Sequence, residues 1–140
     1  MLKQFAFLGF AATVFVSTLL MSSQANAYCS ASTESGTWVN PNAAQKTLAR
    51  VEIQTTCENG QHGWKIRALT RCARTRCSWG YAPGVRRADG ALAALFSTFT
   101  AERLVRMLVE EDSMKVIVVN VFRGGQEKTV QRYLFERHYN

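Results

Sequence analysis

The chain is poor in histidine and proline, with two of each, and poor in acid, with ten Asp and Glu against seventeen Lys and Arg. With imidazole confined to His62 and His138, little is at hand to act as a general base near neutral pH. His62 lies in a turn-like stretch beside Gly60 and Gly63, and His138 is close to the C-terminus. No C-x2-C pair occurs, so zinc-finger spacing is missing and no metal site is expected. G-x-S-x-G, H-E-x-x-H and a glycine-rich phosphate loop are all absent. The acidic run Glu110-Glu111-Asp112 follows a strand-like segment and reads as a solvated corner, not as a hydrolase's carboxylate pair. These absences leave no candidate catalytic residue. The expectation is a binding protein without a cofactor, not an enzyme. No repeat, low-complexity tract or interdomain linker divides the chain.

What is present begins with an apolar stretch, Phe5 to Leu20, preceded by Lys3 and followed by Ser22-Ser23-Gln24 and Ala25-Asn26-Ala27. This is the layout of a secretory signal cleaved after Ala27. The stretch approaches the ~20 residues of a membrane span, but no basic stop-transfer cluster follows, so the processed product is expected to have no span. Tyr28 precedes Cys29 where lipid attachment needs a small residue. Residues 1–27 are thus read as a leader and 28–140 as one exported domain, periplasmic or secreted, of 140 − 27 = 113 residues. A chain of that size buries a little more than ~60% of its unfolded surface.

Four cysteines, Cys29, Cys57, Cys72 and Cys77, in a short exported chain favour a disulfide framework. Three pairings are possible, and Cys72–Cys77 with Cys29–Cys57 is preferred because the first pair is closely spaced in a turn-rich stretch. Loop closure assigns about 2 kcal/mol to the short ring and about 3–4 kcal/mol to the long one. Removing Lys3 leaves 16 Lys and Arg against 10 acids, a net charge of +6, and twelve of the sixteen cations are arginine. That balance biases the domain toward anionic partners.

Turn signals recur at Asn40-Pro41-Asn42, Glu58-Asn59-Gly60, Ala82-Pro83-Gly84, Ala88-Asp89-Gly90, Glu111-Asp112-Ser113 and Arg123-Gly124-Gly125. Between them, strands are predicted over 33–39, 48–55, 64–70, 77–81, 115–122 and 128–137. Residues 91–111 are ambiguous. Leu92, Leu95, Phe96 and Phe99 follow helical spacing, but Arg103 and Arg106 break the stripe, while Val105, Met107 and Val109 alternate. Two strands, 91–99 and 103–110, are preferred over an amphipathic helix. Eight strands in so short a chain predict an all-β fold, a small closed or nearly closed antiparallel barrel, because closure removes exposed edges. Its interior is just wide enough to be filled by side chains or to hold one small ligand.

Gly36-Thr37-Trp38 near the start and Phe135-Glu136-Arg137 near the end fall on strands that a closed barrel makes neighbours. A glycine permits close approach, and an arginine can lie on an indole face. The pattern resembles the structural signature of calycins, the lipocalin group, whose small barrels include carriers and protease inhibitors. Gly36, Trp38 and Arg137 are read as that structural signature. Gly36-Thr37-Trp38-Val39-Asn40 together with Cys72-Ala73-Arg74-Thr75-Arg76-Cys77-Ser78-Trp79-Gly80 also resembles a family of short exported bacterial proteins without an assigned activity. Those carry G-x-W-V-N, then W-G-x-C-x-P-x-D-C-x-W-G, then F-x-R. Here Leu69-Thr70 replaces Trp-Gly, Arg74 replaces the proline and Arg76 the acid.

The disulfide ring would hold Arg74 and Arg76 on a stiff loop, with Arg67, Arg71, Arg86 and Arg87 close in sequence and Trp79 and Tyr81 interleaved. Such arginines dock carboxylate or phosphate bidentately. Arg71, Arg74, Arg76, Trp79, Arg86 and Arg87 are therefore the expected contacts to a protein or anionic envelope component. The stapled loop would be inhibitor-like, since a rigid loop loses little entropy on docking. No recognised nucleic-acid motif is present, so nucleic acid is not among the expected partners. The alternative is a carrier of a small apolar ligand in the lumen. It requires that Trp64, Ile66, Phe96 and Phe122 leave the barrel partly open.

Overall fold

The computed structural model describes residues 29–140; the leader read over 1–27 lies outside the described residues. Eight strands run in sequence order: β1 Gly36–Val39, β2 Leu48–Glu58, β3 Gln61–Arg71, β4 Arg76–Arg86, β5 Leu92–Ser97, β6 Ala101–Glu110, β7 Ser113–Phe122 and β8 Thr129–His138. Each pairs antiparallel with the next, and β8 returns to β1 to close the barrel. The closing register sets Trp38 opposite Arg137. The fold is all-β among the described residues, and the two disulfides join Cys29 to Cys57 and Cys72 to Cys77. Cross-links of this kind form and persist in an oxidising compartment. No helix among the described residues is long and apolar enough to cross a membrane.

Period-two alternation decides the inner face. Val105, Met107, Val116, Val118, Phe96 and Phe135 are all at most 1% exposed. Each such side chain contributes about 1.5–3 kcal/mol by leaving water. The same alternation makes 91–111 two strands, β5 and β6, with the chain reversing through 98–100. A helix would have put Arg103 on the same stripe as Phe96 and Phe99. On the outside, Leu95, Leu104, Val119 and Val130 stand directly opposite one another across β5 to β8. Aliphatic cross-strand pairs of this kind help fix the register of those strands.

Two expectations change in β4. It runs eleven residues where a short strand was read, and Ala82-Pro83-Gly84 lies inside it, not in a turn. Proline is tolerated there because β5 pairs with β4 only at Val85 and Arg86, so Pro83 borders a stretch with no ladder on that side. Gly84 allows β4 to press onto β3: a Cβ there would lie 2.8 Å from both Ile66 Cδ1 and Trp64 Cβ.

The up-and-down order gives the barrel two distinct ends. At one, which we call the base, residues 29–35 cross beneath the core. Trp38 Nε1 donates to the Glu34 carbonyl at 2.9 Å and Trp64 Nε1 to Ser32 Oγ at 2.9 Å. Arg137 lies over the Trp38 ring, 4.2 Å from its centroid. Its Nη1 and Nη2 donate to the carbonyls of Ser35 (2.9 Å) and Thr33 (2.6 Å). The other end, the mouth, is formed by segments 40–47, 72–75, 98–100 and 123–128.

Candidate functional site

The mouth is shaped by two bulges. In β4, Gly80 pairs with Ala68 and Ser78 with Leu69, which leaves Trp79 as an extra residue. A bulge bends its strand and re-aims the side chain it carries. Gly80 adopts φ +91°, a conformation that favours glycine, and its N–H bonds Ser78 Oγ at 3.0 Å. Trp79 therefore packs inward, edge-on to Phe96 with centroids 5.9 Å apart. In β2, Ala49 is the extra residue between Leu48 and Arg50, which lets Leu48 and Val51 both be buried.

The Cys72–Cys77 ring forms one rim of the mouth, tightened by a bond from Cys72 N to the Thr75 carbonyl at 2.9 Å. It is latched to segment 43–47. Lys46 N donates to the Arg71 carbonyl (2.7 Å), Arg71 N to the Thr47 carbonyl (3.0 Å), and Arg71 Nη1 to the Ala43 carbonyl (3.0 Å). Between ring and segment lies an open cleft of about 410 Å³, lined by Asn40, Pro41, Arg71, Arg74 and Arg76.

Inside the rim is a second cavity, of about 490 Å³, lined by Leu48, Thr70, Trp79, Arg103, Asn120 and Phe122, with Lys46, Thr129 and Gln131 at its edge. Cys72 borders both spaces. Arg103 lies over the Trp79 ring at 4.8 Å and donates from Nη1 to Thr98 Oγ1. Burial lowers its pKa from the ordinary arginine value; a guanidinium nonetheless keeps its charge. Asn120, 6% exposed, donates from Nδ2 to Thr129 Oγ1 (3.1 Å) and Gln131 Oε1 (3.3 Å). Of the residues expected to govern an open lumen, Ile66 and Phe96 are buried core, Trp64 is half-buried near the base, and Phe122 lines the mouth.

The arginines grouped by sequence are not one patch. Arg71, Arg74 and Arg76 meet at the mouth, but β4 carries Arg86 to the base, roughly 33 Å along the strand at about 3.3 Å per residue. There Arg86 is paired with the Glu34 carboxylate, donates to the Gly90 carbonyl at 2.8 Å and lies over Trp64 at 4.7 Å. Arg87 is exposed beside it. Trp79 faces the cavity, away from the outer arginines. Arg67 lies on the outer wall near Tyr81 and Glu52. His62 and His138 are exposed at the base end of β3 and β8, and no group of three or more His, Cys, Asp or Glu among the described residues is arranged for a metal.

Charge sorts along the barrel axis. Of the ten acids, Glu102 and Glu127 lie at the mouth, whereas Glu34, Glu58, Asp89, Glu110, Glu111 and Asp112 lie at the base. Lys46, Arg71, Arg74, Arg76 and Arg103 cluster at the mouth. Among the described residues none of these five has a carboxylate within 4.0 Å, in contrast to Arg86, Arg106 and Arg137. Arg103, Asn120 and Gln131 were not singled out from the sequence. The signal was there: Arg103 shares the phase of Val105 and Met107, and Asn120 that of Val116 and Val118.

A closed eight-stranded up-and-down barrel with a polar, cationic mouth is the class of structure that fold and site define. Compared with protein-family models, with curated proteins and with solved structures, the chain matches none.

Proposed function

We propose that this is an exported binding protein that engages an anionic macromolecular partner through the rim formed by Arg71, Arg74 and Arg76. The supporting observation is that these guanidiniums converge on one cleft and lack carboxylate partners among the described residues. The disulfide and the Arg71–Ala43 bond hold the rim stiff, so little conformational freedom is lost on docking. Arginine forks match carboxylates and phosphates. Export of residues 28–140 after loss of a 1–27 leader, to a periplasm or beyond, is part of the reading and agrees with a disulfide-bonded domain. Arg86 and Arg87, at the base, are not part of this surface.

The test is retention from an envelope extract on immobilised protein at low salt, comparing wild type with Arg74→Glu/Arg76→Glu. A partner held by the wild type, released by salt and lost in the variant supports the reading. A variant that keeps every wild-type partner, or a wild type that retains none, overturns it.

A further inference from the structure

Three arginines on inward-facing positions are each stacked on a tryptophan, Arg86 on Trp64 and Arg137 on Trp38 at the base, and Arg103 on Trp79 at the mouth. Arg86 is also paired with the Glu34 carboxylate. Arg137 at the base is consumed by the fold, with two backbone carbonyls, the Trp38 face and the Asp112 carboxylate at 3.5 Å. Arg103 at the mouth has one hydrogen bond, to Thr98 Oγ1, and the Trp79 face. A guanidinium carries five N–H donors in a planar fork. Half-burying such a group without a counter-charge is unfavourable, and nothing in the closing of the barrel requires it at this position. The remaining donors border a cavity of about 490 Å³, within the size range of small-molecule sites.

We infer that the mouth cavity is a binding site for a small organic carboxylate with a flat or short apolar body, its carboxylate on Arg103 and its body against Trp79, Leu48 and Phe122. One half-buried cation, Arg103, faces the cavity, with Lys46 at its edge, so a single carboxylate is the charge that Arg103 itself matches. Asn120 spends its amide nitrogen on Thr129 and Gln131, which fixes the Gln131 amide so that its own N–H group is left as a further donor at the rim. This site is separate from the outer arginine rim, and the inference stands without the macromolecular partner.

The experiment is calorimetric titration of the processed protein with 2-naphthoate and with neutral 2-naphthamide, alongside amide and indole NMR. Saturable one-to-one binding of naphthoate, with naphthamide roughly tenfold or more weaker, and a shift of the Trp79 indole signal while those of Trp38 and Trp64 stay put, is the expected result. Arg103→Met should lose the binding, Arg103→Lys keep part of it, and Arg74→Glu/Arg76→Glu change it less than about threefold. No binding to the wild type, equal binding of the amide, unchanged binding by Arg103→Met, or naphthoate lost in the Arg74/Arg76 variant would each overturn the inference. That last outcome would also tie the anion to the rim. Partner retention from the envelope extract by Arg103→Met reads the proposed function independently.

Discussion

Arg137 and Arg103 occupy equivalent chemical settings, an indole face inside a barrel, and differ in what completes them. Because Arg137 joins β8 to segment 33–35 through two carbonyls, Arg137→Met is expected to cost about 2–4 kcal/mol in denaturant unfolding, since hydrogen bonds to a charged group are worth about 1.5–3 kcal/mol. Arg103→Met should cost less than Arg137→Met in the same measurement, because Arg103 has one side-chain hydrogen bond, to Thr98 within its own hairpin, and ties no separate segment to the barrel. Glu34 is the acid to watch. Burial pushes its carboxyl up, and the Arg86 hydrogen bond with further bonds from the backbone and Ser32 outweighs that, so its pKa lies below the ordinary carboxylate value. The unfolded chain therefore binds the proton more readily. Stability from this pair is full above the unfolded value of about 4.3 and is lost as pH falls through the lower folded value. Glu34→Gln should lower the melting temperature at pH 7 and flatten its decline below about pH 4.5, read by thermal unfolding from pH 7 to 3. Among single residues, the sequence spoke for Arg74 and Arg76, which are neighbours on one rim. It misled for Arg86, because proximity along an extended strand is distance in space.

At the scale of elements, the decisive local feature is the sparse pairing of β4 with β5, at Val85–Ala93 and Arg86–Leu92. Above those pairs the wall is closed by side chains, Trp79 against Phe96 and Arg103 against Trp79, which is where the cavity opens. The Cys72–Cys77 ring braces the adjacent rim. Replacing both cysteines by serine should cost about 2 kcal/mol, and replacing Cys29 and Cys57 about 3–4 kcal/mol, by loop-closure entropy. Denaturant midpoints of the two double variants check the order. The strands themselves were largely legible, since alternation in 64–70, 115–122 and 128–137 is strong. Their extensions were less so. Hairpins at Asn59-Gly60 and Glu111-Asp112 let pairing run almost to the turn, as the left-handed φ of Asn59 (52°), Gly60 (75°) and Glu111 (56°) shows. Pro83 read as a turn because a sequence does not reveal which edge of a strand lacks a neighbour. The bulge at Trp79 was hidden for a similar reason: it exists only in the register between two strands.

For the molecule as a whole, closure and cross-linking were expected and are present. The interior's division into a packed body and a polar mouth was not foreseen, since it depends on a few inward positions such as Thr70, Arg103 and Asn120 occupying the same layer. Nor was the sorting of charge. It becomes visible once the up-and-down order is known, because successive turns then fall at alternating ends, which gathers Lys46 and the Arg74–Arg76 ring at one end and Glu58, Asp89 and Glu110 to Asp112 at the other. The outcome is an excess of cations at the mouth, while at the base Arg86, Arg87, Arg106 and Arg137 offset most of the acids. For the anionic partner proposed above, a body with its excess of cations at one end would be turned during approach and would arrive mouth first. Added salt should accordingly slow its capture far more than it hastens its release.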